Sequence, residues 1–290
     1  MEYLMTYGWA ILIIAVVLGA LFQLGVFNAS AFAPRAPPGA CQVLRPNGPG
    51  TASLINLEGV CNGELPQYIV SLAGGSSSHL YLPLTVPSGS SLTISLWINP
   101  QNLMTPQGII AAANSLTTGS GSAGYLYGTV VINSDGSGCD IQVGTGTTSG
   151  WQSYDTSNCP SSSTWYFLTA YVNQSAGTVG LYVNGVSSVS HTIAGTTNPS
   201  VYFNVSYDPY ERQGMHGQFA DVQIYNTSLS ANEIQALYQE GIGGAPIKLQ
   251  NLVGWWPLNG NANDYSGNNN NGVPSGVTYT SQWTSGYTPP

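Results

Sequence analysis

The sequence predicts a mainly β protein, a two-sheet antiparallel sandwich preceded by one long hydrophobic α-helix. Three observations carry this reading. Residues 4–27 form an uncharged, apolar run. Beyond residue 40, short apolar stretches alternate with a period of two and are cut by Gly, Pro, Asn and Ser. Helical periodicity is almost absent from that later part. With 290 residues, and sandwiches commonly reaching about 200 to 250 residues as one domain, the simplest organisation is one large domain and an appendage. The boundaries fall as a hydrophobic helix at 1–27, a Pro/Ala-rich linker at 28–40 and the sandwich at 41–290.

Composition excludes some functions. Charged residues are 6% of the chain, with 4 Lys+Arg against 12 Asp+Glu, so the basic stripe that nucleic acid requires is missing. A low charge content with many Ser and Thr often means disorder, but 42% hydrophobic and 11% aromatic residues supply enough apolar area to fold. Few carboxylate ion pairs also suit an acidic exterior, because such pairs weaken as carboxylates protonate.

The run from Leu4 to Phe27 spans about 36 Å as a helix, enough to cross a hydrocarbon core of about 30 Å. A signal peptide needs a basic region before a shorter apolar stretch. Neither is present, so the segment is expected to stay on the mature protein, with a basic leader already removed from in front of it. Ala15 and Gly19 lie four apart on one helical face, where small side chains let helices approach closely. Glu2 suits a helix N-terminus.

The segment around Met1-Glu2-Tyr-Leu-Met-Thr-Tyr-Gly-Trp-Ala resembles archaeal type IV pilins and archaellins. The resemblance implies a helix that is inserted in the membrane before assembly and then packs with copies of itself. The product would be a helical homo-oligomeric filament at the cell surface. It also implies that Glu2, which sits nearer the terminus than its bacterial counterpart, pairs with a neighbouring subunit's terminal amine.

Within the later part, Leu92, Ile94, Leu96 and Ile98 share one strand face and Thr93, Ser95 and Trp97 the other; the aliphatic face is expected to meet the core. Tyr166, Leu168, Ala170 and Val172 alternate with Trp165, Phe167 and Tyr171. Val179, Leu181 and Val183 lead into Asn184-Gly185, a hairpin signal. After the strand Phe219–Tyr225, Ser230-Ala-Asn-Glu233 forms a capping box for a short helix ending near Gly241, the only helix expected in the domain.

Leu92-Thr-Ile-Ser-Leu-Trp-Ile, Thr164-Trp-Tyr-Phe-Leu, Leu181-Tyr-Val-Asn-Gly and the stretch Phe219 to Tyr238 resemble, in order and spacing, the laminin-G-like or concanavalin A-like jelly roll. Relatives usually begin with a segment like Leu252-Val-Gly-Trp-Trp-Pro-Leu-Asn-Gly-Asn-Ala-Asn-Asp-Tyr-Ser-Gly-Asn. Here it follows the helix, so the domain looks circularly permuted, with 251–290 supplying the first strand segment. Val253 to Leu258 is expected to join the sandwich; donation to a neighbouring subunit is the alternative. The resemblance further implies glycan binding and, in some relatives, a Ca2+ ion held by loop carboxylates. Asp264, beside Asn261 and Asn263, and Asp208 are the loop candidates, although Asn, Asp and Gly also favour turns for backbone reasons alone.

The acidic residues show no Glu-x-Asp-x-Glu strand of the kind that glycosidases on related folds use. His79, His191 and His216 lack metal-ligand spacing. A non-enzyme is expected. Trp151, Tyr154, Tyr207 and Tyr210 are expected in Gly/Ser-rich or Pro-containing loops where they would stack on sugar rings, or else fill a core or an interface. Cys41, Cys61, Cys139 and Cys159 allow three pairings, and the local one (41–61, 139–159) closes two loops, each bond stabilising by about 3 kcal/mol; buried thiols are the alternative. Asn28, Asn173, Asn204 and Asn226 begin glycosylation sequons. The function expected is an extracellular filament subunit displaying a lectin-like domain for adhesion; a membrane-anchored, glycan-binding adhesin that does not polymerise is the alternative.

Overall fold

The computed structural model of the chain describes residues 13–17, 66–75, 77–103, 107–113, 129–134, 139–156, 159–200, 202–206, 214–288 and 290. Glu2, Gly19, Asn28, the linker at 28–40, Cys41, Cys61 and Asp208 fall outside them. Among the described N-terminal residues, 13–17 are helical, and Ala15 lies exposed within them beside Ile13, Ile14, Val16 and Val17. Among the described residues no helix is long and apolar enough to cross a membrane; most of the predicted helix at 1–27 lies outside them.

The described strands, numbered β1 to β15 in chain order, pair antiparallel in two sheets. The first runs β10 (Val186–Thr192), β9 (Thr178–Val183), β8 (Tyr166–Asn173), β3 (Leu92–Pro100), β12 (His216–Tyr225), β1 (Ile69–Ala73) and β15 (Val277–Thr280), with β13 (Leu252–Trp256) also on β12. The second runs β14 (Val273–Ser275), β2 (His79–Leu82), β11 (Tyr202–Val205), β4 (Gln107–Ala113), β5 (Thr129–Ser134), β6 (Cys139–Thr147) and β7 (Gly150–Asp155). The core between the sheets takes Ile94, Leu96 and Ile98 from β3 and Phe219, Val222 and Ile224 from β12. Facing them across the sandwich are Leu80, Leu82, Ile110, Ala112, Ile141, Val143, Phe203 and Val205.

Local chemistry accounts for the turns and the helix. Asn184 (φ 50°) and Gly185 (φ 74°) are both left-handed, and Val183 pairs with Val186, the geometry of a two-residue hairpin that follows the twist of its strands. Helix α1 spans Ala231–Gln239 and opens with the capping box: the Glu233 amide donates to Ser230 Oγ, and the Ser230 amide donates to Glu233 Oε2 at 2.7 Å. Gly241 takes the left-handed conformation just past its end. A short 3-10 turn, Leu249–Asn251, adds to the single helix expected of the domain.

The aliphatic face of β3 meets the core as expected, and the structure adds a second layer on its other side. Every residue of that strand is buried, so the face carrying Thr93, Ser95 and Trp97 is covered as fully as the aliphatic one. The cover comes from α1 and the C-terminal segment. Trp97 packs its ring 5.3 Å from Phe167, 5.9 Å from Tyr238 and 5.5 Å from Tyr287, measured between centroids. Trp165, Trp255 and Trp283 belong to the same layer. Large aromatic side chains bury the most apolar area per residue, and this second core is therefore a substantial share of the domain's stability.

The segment after α1 enters both sheets. Val222 of β12 faces Trp256, Val70 of β1 faces Tyr279, and Leu80 of β2 faces Pro274. The strand at Leu252–Trp256 pairs with β12 of its own chain. Trp256 is completely buried and donates Nε1–H to the carbonyl of Asn270 at 2.9 Å. A Cβ on Gly254 would collide with the Trp256 ring, so only glycine lets the indole fold back over its own strand.

Candidate functional site

The exposed end of the second sheet carries the best candidate. Along β7, Gln152 and Tyr154 are partly buried while Trp151, Ser153 and Asp155 are exposed. Because Ile141 and Val143 of β6 point into the core, alternation puts Asp140, Gln142 and Gly144 on the outer face with Trp151, Ser153 and Asp155. Trp151 is 43% exposed, and its six-membered ring occupies the place where a Cβ on Gly144 would stand. The indole therefore packs against bare backbone of β6 while part of its surface stays open to solvent. Beside it, Gln142 Nε2 donates to Asp155 Oδ1 at 2.7 Å, which orients that carboxylate along the same face. An aromatic plate flanked by hydroxyl, amide and carboxylate groups can stack a sugar ring and hydrogen-bond its hydroxyls.

The other predicted aromatics separate from Trp151. Tyr154 turns inward: it stacks on His191 of β10 with centroids 4.2 Å apart and donates its hydroxyl to the Thr192 carbonyl. It joins the edges of the two sheets and is not offered to a ligand. Tyr207 and Tyr210 lie outside the described residues.

Asp264 is a correction. It is fully buried, and its carboxylate accepts three backbone N–H groups: Trp255 and Ser266 on Oδ1, and Asn270 on Oδ2. Its own amide donates to Asn271 Oδ1. A cation would have to displace those donors, so these atoms do not fit Ca2+; they fold the Asn-rich loop onto β13. His79, His191 and His216 stand on β2, β10 and β12, and among the described residues no group of three or more His, Cys, Asp or Glu is placed to hold a metal.

A buried carboxylate escaped the sequence reading altogether. Asp221, 3% exposed, sits where β12 slips register against β3, with a left-handed φ of 49°. Trp255 Nε1 donates to its Oδ1 at 2.7 Å and Gln223 Nε2 to its Oδ2 at 2.8 Å, while Tyr225 donates to Gln223 Oε1 at 2.6 Å. Burial pushes the Asp221 carboxyl up to about 8, against the two hydrogen bonds that favour its charged form. The missing signal was long-range, since Trp255 lies 34 residues further along the chain.

With this geometry in view, residues 74–235 match the family model described as the concanavalin A-like lectin/glucanases superfamily. That range is more than half of the 290 residues. The chain belongs to this superfamily. Two solved structures of similar fold are a native heptameric SAP-like pentraxin from Limulus polyphemus and a putative carbohydrate binding protein from Bacteroides ovatus. The pentraxin is 14% identical with a TM-score of 0.53, over 74% of this chain and 94% of its own. The Bacteroides protein is 18% identical, also with a TM-score of 0.53, over 75% of this chain and 61% of its own. At such identities the likeness is one of fold. No curated protein matches the chain.

The remaining predicted positions sit on this superfamily scaffold as follows. Asn226 is exposed, and its Oδ1 accepts from Asn251 Nδ2. Asn173 Oδ1 accepts from Ser175 and Ala176 in a local turn. Asn204, in contrast, is 6% exposed within β11, and a buried amide has no room for a glycan. Cys139 opens β6 and Cys159 is disulfide-bonded. Thr156 bonds back to Ile141.

Proposed function

We propose that the chain is an extracellular, carbohydrate-binding surface subunit, with the sandwich as its binding head and Trp151 as the centre of the site. The observation that carries this is the exposed indole packed against Gly144, on the face that also carries Ser153, Gln142 and Asp155. An exposed tryptophan without a partner has no structural role in the core, while a flat apolar plate rimmed by hydrogen-bonding groups matches the amphipathic faces of a pyranose. Trp151→Ala is expected to weaken glycan binding by about ten-fold or more without lowering the melting temperature. A glycan array probed with the full chain and with this variant checks it; unchanged binding contradicts the assignment.

The same reading makes the N-terminal segment an assembly device. Ile13, Ile14, Val16 and Val17 are 50–63% exposed on the helical stretch, a contiguous apolar surface of the kind that copies cover by packing together. Inserted in the membrane first and then packed in a filament core, with Glu2, Ala15 and Gly19 at the helix contacts, this segment would leave the heads displayed outward. Cys139–Cys159 pairing and a glycan on Asn226 belong to the same extracellular setting. Electron microscopy of purified material is expected to show fibres with a helical repeat; single molecules held in detergent would instead favour the anchored adhesin.

A further inference from the structure

Resting on the carbohydrate reading of Trp151, we infer that Gln152 is the positioning residue of that site and holds the indole in its binding orientation without touching the sugar. Strand β7 ends its sheet and pairs with β6. An end strand opens more readily than an inner one, and Trp151 stands near its start, directly after the turn that reverses the chain between Thr147 and Gly150. Successive strand residues point to opposite faces, so Gln152 turns inward where Trp151 turns outward.

The Gln152 side-chain amide is fully engaged on that inner side. Nε2 donates to the Ala194 carbonyl at 2.9 Å, and Oε1 accepts from the Ala194 amide at 3.0 Å. The side chain thus offers Ala194 the donor and acceptor pair that a neighbouring strand would present. Nε2 also donates to Thr147 Oγ1 at 2.9 Å, and that hydroxyl accepts from the Ser149 amide and donates to the Gly150 carbonyl. One amide therefore ties the turn before Trp151 to the segment that follows β10. The anchor is itself held: Thr197, fully buried, donates its amide to Gln174 Oε1, and its carbonyl accepts from the Gly89 amide. Tyr154 makes a second tie through its ring on His191 and its hydroxyl on the Thr192 carbonyl, but it lies three residues beyond Trp151 and is bonded to β10 rather than to the turn. An aromatic side chain fixed before the ligand arrives loses less freedom on binding, and having to order it at that moment weakens affinity by about two- to ten-fold.

Calorimetric titration of the full chain with neutral oligosaccharides (β-glucan, mannan and xylan fragments), together with the indole N–H resonances of isotope-labelled protein, tests this. Trp97, Trp165, Trp255, Trp256 and Trp283 are buried, and Trp151→Ala identifies the Trp151 signal by its loss. Gln152→Met keeps the length of the side chain and removes its three hydrogen bonds. It is expected to weaken binding by about two- to ten-fold and to shift or broaden the Trp151 signal, while those of the buried tryptophans stay in place. Gln152→Glu, which keeps the bond from the Ala194 amide and loses both donated ones, gives the same reading should the methionine variant fold poorly. Tyr154→Phe, which removes a hydroxyl bond from the same strand, is expected to change neither affinity nor signal. Unchanged affinity in the Gln152 variants, a Trp151 signal that stays in place, or equal weakening in Tyr154→Phe overturns the positioning role while the Trp151 reading stands. Absence of binding by the unaltered protein overturns the Trp151 reading and the role of Gln152 with it.

Discussion

A chain ending at Gln250 is expected not to fold. The segment it lacks supplies β13 to β12, β15 to β1 and β14 to β2, so three strands across both sheets lose a hydrogen-bonded neighbour. It also supplies Trp256 and Leu258 to the core between the sheets and Trp255 and Trp283 to the outer one. Truncating a single buried tryptophan to alanine costs about 3–5 kcal/mol, and a whole domain is stable by only about 5–15 kcal/mol. Losing three buried tryptophans and Leu258 together therefore exceeds what the rest can supply. Circular dichroism melting of the shortened chain should show no cooperative transition. The point variant Trp256→Ala should retain one, lowered by several degrees or more. A cooperative transition in the shortened chain would show that the family-matched region, 74–235, is self-sufficient and that the permuted ending is an accessory.

The second large effect is a loss of stability as pH rises. Asp221 ionises near 3.9 in an unfolded chain and near about 8 in the fold, where burial is the cause. Because the folded value is the higher one, the stabilising contribution is complete below about pH 4. It falls by about 1.4 kcal/mol per pH unit through the interval to about pH 8, a total of roughly 6 kcal/mol. Glu240, also raised by desolvation, acts in the same direction. Glu233, lowered by its contact with Lys248, acts the other way but lies largely in solvent, where an ion pair contributes little. Melting temperatures measured between pH 4 and 9 should fall with pH, and Asp221→Asn, which keeps an acceptor for the Trp255 indole, should flatten the curve. Parallel curves for the two proteins would remove Asp221 as the cause. The sign agrees with the acidic exterior that the low charge content suggested.

Features set by neighbours in sequence were legible before the structure. The Asn184-Gly185 turn, the Ser230 capping box and the alternation of Leu92 to Ile98 each depend on residues within a few positions of one another, and each is where the sequence places it. What remained hidden depends on contacts across the fold. Nothing around Trp97 announces that α1 and Tyr287 will cover it. Nothing around Asp221 announces Trp255. Asp264 looked like a loop ligand because Asn and Asp serve both turns and cations; only the three amides converging on it decide between them. The four candidate aromatics were equivalent as letters. The inward Val143 and the bare Gly144 on the adjoining strand are what separate an exposed Trp151 from an enclosed Tyr154.

Saturation-transfer NMR tests most directly whether the head binds sugar through Trp151, using a neutral oligosaccharide with the full-length protein and with Trp151→Ala. The account predicts transfer to the ring C–H protons of the sugar in the unaltered protein and its disappearance in the variant, whose melting temperature stays the same. Equal transfer to both proteins, or transfer to neither, would contradict it.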